Sequence, residues 1–120
     1  MNFWRLLRIA WEWFRDAGPT REPERRSLKL MRGWLSETQK QQYDARGYFD
    51  VVGSHTSRRY RIRFGTSTNI HELDSFDHSV ARWCFIPCES LSAGDVMLAQ
   101  KIALESDELS ALAVARSFYP

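Results

Sequence analysis

The feature that most constrains this chain is a change of hydrophobic period at Gly47. Upstream, apolar residues recur every three to four positions, and just downstream they alternate. The clearest alternation is Arg59-Tyr60-Arg61-Ile62-Arg63-Phe64, which sends Tyr60, Ile62 and Phe64 to one face and three arginines to the other. A strand of that pattern needs a packed side and a polar side, so the fold must contain an antiparallel sheet covered on one face.

Three further strands follow from turn chemistry. Tyr48–Val52 precedes the turn formers Gly53-Ser54-His55-Thr56-Ser57, residues 69–73 follow a second turn at 65–68, and residues 80–86 end at Pro87. Upstream, Leu28, Met31 and Leu35 share one helical line and Leu30 with Trp34 another. Ser36-x-x-Gln39 is a capping box opening a short polar helix over residues 37–45, which Gly47 ends. Downstream, Ser92-x-x-Asp95 is a second capping box. It precedes a stripe of Val96, Ala99, Ile102 and Ala103, and Leu109, Leu112 and Ala113 carry the helical pattern to about Ser117.

The expected fold is therefore α+β: N-terminal helices, a four-stranded antiparallel meander and a C-terminal helical segment packed on one sheet face. Its expected core holds Val51, Tyr60, Ile62, Phe64, Phe85, Val96, Ile102, Leu109 and Leu112. Residues 1–18 form an amphipathic aromatic helix, residues 19–26 a polar linker marked by Gly18-Pro19 and Pro23, and residues 27–120 one domain. A chain of 120 residues suffices for one core without metal or disulfide staples.

The segments RGYFDVVGSHTSRRYRIRFGTSTNI, WCFIP and LSAGDVMLAQKIALESDELSALAVA lie within residues 34–117. Over this span the chain resembles an uncharacterised family of small bacterial and mobile-element proteins. The resemblance implies one unit of helix, sheet and helix, and brings no activity, cofactor or catalytic residue with it.

The aromatic helix is the first candidate for function. Phe3, Trp4, Leu7, Trp11 and Phe14 fall within one sector, with Arg5, Arg8 and Arg15 opposite. A stripe of that size marks a docking or dimerisation surface when left open. Charges every third or fourth position exclude a transmembrane span and a signal peptide, so a cytoplasmic location is expected. Contact of this helix with a membrane surface stays open.

The second candidate is the arginine-lined strand face. Arg59, Arg61 and Arg63 repeat at about 6.6–7 Å, and Arg58, His55 and Tyr48 extend the patch. Arginine grips phosphate and tyrosine offers a ring to a base, so the face suits single-stranded nucleic acid. The competing reading pairs these arginines with Asp50 or Glu72 across the sheet. Residues 1–63 hold 14 Lys+Arg against 7 Asp+Glu and residues 64–120 hold 3 against 8. The halves can therefore neutralise each other where they meet.

Catalytic and metal chemistry find little support. His71, His78, Cys84 and Cys88 are ligand types at H-x6-H-x5-C-x3-C, but Cys84 falls inside an apolar strand and Cys88 just past Pro87, so only a chain reversal at Pro87 could pair them on a zinc knuckle. Ser54-His55 sets a hydroxyl beside a base without a further catalytic motif. Asp74 and Asp77 fit a turn. The chain is thus expected to be a non-catalytic protein-interaction module without cofactor. Its expected partner is another protein or a second copy, and nucleic-acid binding is the alternative.

Overall fold

A computed structural model describes residues 22–65, 68–84 and 92–118, the last three by backbone alone. The expected aromatic helix, with Phe3, Trp4, Leu7, Trp11 and Phe14, lies outside the described residues, as do Phe85 and Cys88.

Helix α1 spans Glu22–Gly33 and begins inside the stretch read as linker. Pro23 sits in its first turn, where its missing N–H costs no helical hydrogen bond. Leu28 and Met31 turn inward, and Leu35, just past the helix, is also buried. Helix α2 spans Glu37–Arg46. Its capping box forms in full: the Gln39 N–H donates to Ser36 Oγ at 3.2 Å and the Ser36 N–H to Gln39 Oε1 at 2.9 Å. Gly47 closes it with φ 76°, the left-handed value that favours glycine.

The sheet is antiparallel throughout, with strands in chain order: β1 Tyr48–Val52, β2 Arg59–Arg63, β3 Ile70–Leu73, β4 Ser79–Cys84 and β5 Arg116–Phe118. The fold is α+β, as expected, but the meander gains a fifth strand. Helix α3 spans Ala93–Ser106 and α4 Glu108–Val114. Ala115 then turns extended at φ −82° and ψ 156°, and the chain pairs with β4 where the sequence suggested continued helix. Three residues in an alanine-rich context are too few to show a period of two.

Cross-strand partners define the two faces. Phe49 opposes Ile62 and Val51 opposes Tyr60 on the inner face, all at most 1% exposed, so the strand register is the expected one. Helix α3 packs on β1 and β2 from this side, α1 packs on α3, and α2 lies against β1. The exposed edge of β1 is blunted by side chains: Gln42 Oε1 accepts from the Asp50 N–H at 2.9 Å, and Gln39 Nε2 donates to the Asp50 carbonyl at 2.9 Å.

The phase of α3 and α4 corrects the expected core. Ile102 and Leu109 are 48% and 55% exposed, and Ala99 also faces out. The buried line is Ala93, Val96, Met97, Gln100, Leu104, Glu108 and Ala111, and it passes through two polar residues. Phe64 and Leu112 are partly buried against this core. Gln100 is satisfied by Asn69: Asn69 Nδ2 donates to Gln100 Oε1 at 2.8 Å and Gln100 Nε2 to Asn69 Oδ1 at 2.9 Å. The second capping box also differs. Ser92 Oγ donates to the Asp95 carboxylate at 2.8 Å, whereas the Ala93 N–H is capped by Glu24 Oε1 of α1 at 2.8 Å.

At this helix crossing Gly94 lies directly against α1, and an added Cβ would stand 2.2 Å from the backbone carbon of Ser27. Gly33 has open space around the same position. Gly33→Ala should stabilise the domain by about 0.5–1 kcal/mol, and Gly94→Ala should destabilise it by more than 1 kcal/mol. Ile62→Ala should cost about 2–5 kcal/mol. Urea unfolding of the three variants checks the set.

Candidate functional site

Two places gather the chemistry singled out in the sequence: the β1–β2 loop with Ser54 and His55, and the outer face of the sheet. In the loop, Ser54 Oγ lies 3.1 Å from His55 Nδ1, so the hydroxyl and the ring do meet. The surroundings explain why. Glu108, at the start of α4, is fully buried and its carboxylate fills the loop. Glu108 Oε1 accepts from the backbone N–H groups of His55 at 2.9 Å and Thr56 at 2.8 Å. Glu108 Oε2 accepts from Thr56 Oγ1 and from the Tyr60 hydroxyl, each at 2.6 Å. The Glu108 N–H donates to Ser54 Oγ at 3.0 Å, and the Ser54 N–H to the Leu104 carbonyl at 3.0 Å.

This constellation holds the loop on the α3–α4 junction. The amides of His55 and Thr56, the nearest donors that could face an oxyanion beside Ser54, are both spent on Glu108. Burial alone would push the Glu108 carboxyl up. The hydrogen bonds from Thr56, Tyr60 and the two amides outweigh it and bring the group down to about 2. Burial, and then the contact with Glu108, pushes the Tyr60 hydroxyl up.

On the outer face the hydrogen-bond pattern sets the side-chain geometry. Gly53 N–H to Arg58 carbonyl at 2.8 Å and Phe64 N–H to Gly47 carbonyl at 3.0 Å fix two hydrogen-bonded pairs. Alternation then makes Asp50–Arg61 and Tyr48–Arg63 non-hydrogen-bonded pairs, whose side chains stand closer. Arg61 forks onto Asp50, Nε to Oδ1 at 2.8 Å and Nη2 to Oδ2 at 3.1 Å. Its guanidinium also lies 4.1 Å from the Tyr48 ring centroid, and that of Arg63 lies 5.6 Å from it.

The arginines predicted to form one ladder therefore have different surroundings. Arg59 pairs with Asp77 and donates to the Asp74 carbonyl at 2.8 Å, Arg58 lies 3.7 Å from Glu72, and Arg61 is committed to Asp50. Arg63 is exposed, and among the described residues no carboxylate forms an ion pair with it. His55 belongs to the loop and not to this face. Two residues that the sequence reading left out of the patch join it instead: His71, directly opposite Arg61 on β3, and Arg82, directly opposite His71 on β4. Burial, then Arg63, Arg82 and Arg61, hold His71 below the ordinary histidine range. Register with β3 and β4 was the missing signal, because a single strand's alternation cannot reveal its neighbours' outer residues.

His78 sits in the β3–β4 turn, its ring 3.7 Å from Asp74, and Cys84 is buried at the end of β4. Asp74 Oδ1 accepts from the Phe76 and His78 amides at 2.8 and 2.9 Å, the turn-forming role expected of it. Among the described residues no three potential ligands gather for a metal ion, and no helix is long and apolar enough to cross a membrane.

A third surface appears on α1. Leu30 and Trp34 form an outward apolar line, 55% and 62% exposed, bordering an open cleft with Arg26, Lys29 and Gly33. Compared with protein-family models, curated proteins and solved structures, the chain finds no match.

The low Glu108 value has a consequence for acid stability. Its folded-state carboxyl lies below the unfolded value of about 4.3, so its contribution is complete above that pH and is lost as pH falls through about 2. Between pH 5 and pH 2 the native chain should lose on the order of 3 kcal/mol more stability than Glu108→Gln. Chemical denaturation at several pH values reads that difference directly.

Proposed function

We propose that this protein is a non-catalytic protein-interaction module that docks another chain through apolar helical surface. The observation that carries the reading is the pair Leu30, on α1, and Trp34, just past its end, both solvent-facing while Leu28 and Met31 of the helix fill the core. A helix with two apolar lines, one spent inward and one left in water, has surface to offer a partner. Tryptophan and arginine, both of which line this cleft, are residues enriched at binding hot spots.

The sequence argues for the same role in residues 1–18, where Phe3, Trp4, Leu7, Trp11 and Phe14 supply a larger stripe. The non-catalytic reading is supported by the β1–β2 loop, whose amides bind Glu108 and leave Ser54 without a stabilising pocket.

Leu30→Asp with Trp34→Asp should leave the far-UV circular dichroism and unfolding midpoint nearly unchanged, since both side chains are exposed. The double variant should lose self-association in sedimentation equilibrium or capture of partner protein in a pull-down from the host. Trp4→Asp with Trp11→Asp should do the same if the aromatic stripe is part of the surface. A folded pair of double variants that keeps every association defeats the proposal.

A further inference from the structure

The outer sheet face gathers Tyr48, Arg61, Arg63, His71 and Arg82 away from the helical layer. We infer that it binds the backbone of single-stranded nucleic acid, with Arg63 and Arg82 contacting phosphates, Tyr48 supplying the stacking surface and Arg61 as its fixed support. The inference goes beyond protein docking and uses a different side of the molecule.

The accounting of charge selects these residues. Arg61 cannot leave Asp50 cheaply, since it makes two hydrogen bonds there and both side chains are largely covered, at 15% and 17% exposure. It serves as a rigid cation holding the Tyr48 ring. Arg63 and Arg82 are exposed, and among the described residues neither forms an ion pair with a carboxylate. Arg82 stands two strands from Arg61, about 9.5 Å across the sheet, with His71 between them, and Arg63 lies two residues further along β2 on the same face. Burial first, and then Arg63, Arg82 and Arg61, disfavour a proton on the His71 ring.

The number of uncommitted cations decides the ligand. Polybasic attachment to an anionic membrane uses clusters of about four to eight basic residues, and duplex binders commonly neutralise six or more phosphates. Arg63 at the Tyr48 ring, with Arg82 farther across the same face, matches the economy of single-strand binding, in which a few phosphate contacts are joined by base stacking. Arg63 is the Cα partner of Tyr48, so a base at the ring and a phosphate at Arg63 can belong to neighbouring nucleotides.

The test uses a dye-labelled oligo-dT and fluorescence anisotropy with the full chain. Affinity should fall with salt at a slope of about −1.4 in log–log form for two contacts, and Arg63→Ala or Arg82→Ala should each remove about 0.7 of it. Tyr48→Ala should weaken binding about fivefold or more. Bound oligonucleotide should also raise the His71 titration midpoint followed by NMR, because phosphate offsets the field of Arg61, Arg63 and Arg82 despite the Asp50 carboxylate beyond Arg61. Leu30→Asp with Trp34→Asp should leave all of this intact, which separates failure here from failure of the docking surface. No binding at low salt overturns the inference. So does binding unchanged in the Arg63→Ala, Arg82→Ala double variant, or equal affinity for duplex DNA or phosphatidylserine vesicles.

Discussion

The buried carboxylate of Glu108 is the constraint around which the rest of this domain is arranged. Removing an ion from water costs several kcal/mol unless its lone pairs are met. Here four donors from the β1–β2 loop and β2 meet them: two loop amides, the Thr56 hydroxyl and the Tyr60 hydroxyl. Such a set has only one geometry, so the carboxylate dictates where the β1–β2 loop sits relative to α3 and α4. Gly53 makes the approach possible, because a Cβ there would lie 2.3 Å from the Glu108 carboxyl carbon. Tyr60 extends the constraint into the core: its ring is fully buried among apolar residues while its hydroxyl reaches the carboxylate.

Where local chemistry decides structure, the sequence was legible. The alternation from Arg59 to Arg63, the Ser36 capping box and the Gly47 terminus each work through residues only a few positions apart, and each appears as read. Where a distant partner decides, it was not. Gln100 and Glu108 look like surface residues until Asn69 and the 53–56 loop reach them, and treating them so rotated the helical stripe onto Ile102 and Leu109. Ala93 is capped by Glu24, 69 positions away, and no local motif announces that pairing. The arginine face was half legible for the same reason. Asp50 as a partner was among the sequence alternatives, whereas His71 and Arg82 enter only through register.

Charge asymmetry between the halves of the chain resolves in the same way. Contacts across the divide use up particular groups: Arg59 on Asp77, Arg58 beside Glu72, Gln39 on Glu105, and the β1–β2 loop on Glu108. Others close within the first half, as Arg32 does on Asp44 with Nη2–Oδ2 at 2.6 Å and Arg61 on Asp50. Neutralisation at the seam is thus real but selective. It acts where strands turn and helices land, and it passes over the middle of the outer sheet face, where no element of the described domain brings a carboxylate to Arg63 or Arg82.

That selectivity places the two candidate surfaces on opposite sides of the sheet. Met97 and Leu104 of α3 join Phe49, Ile62 and Tyr60 in one cluster, so the helical layer occupies the inner side, with α1 stacked outside α3. The Leu30–Trp34 line lies on this helical layer, and the arginines lie on the other face because strand alternation forces them there. Neither surface shares a residue with the other, and the packed core stands between them. Among the described residues, the two proposed partners would therefore contact separate sets of side chains, one on the helical layer and one on the outer strand face.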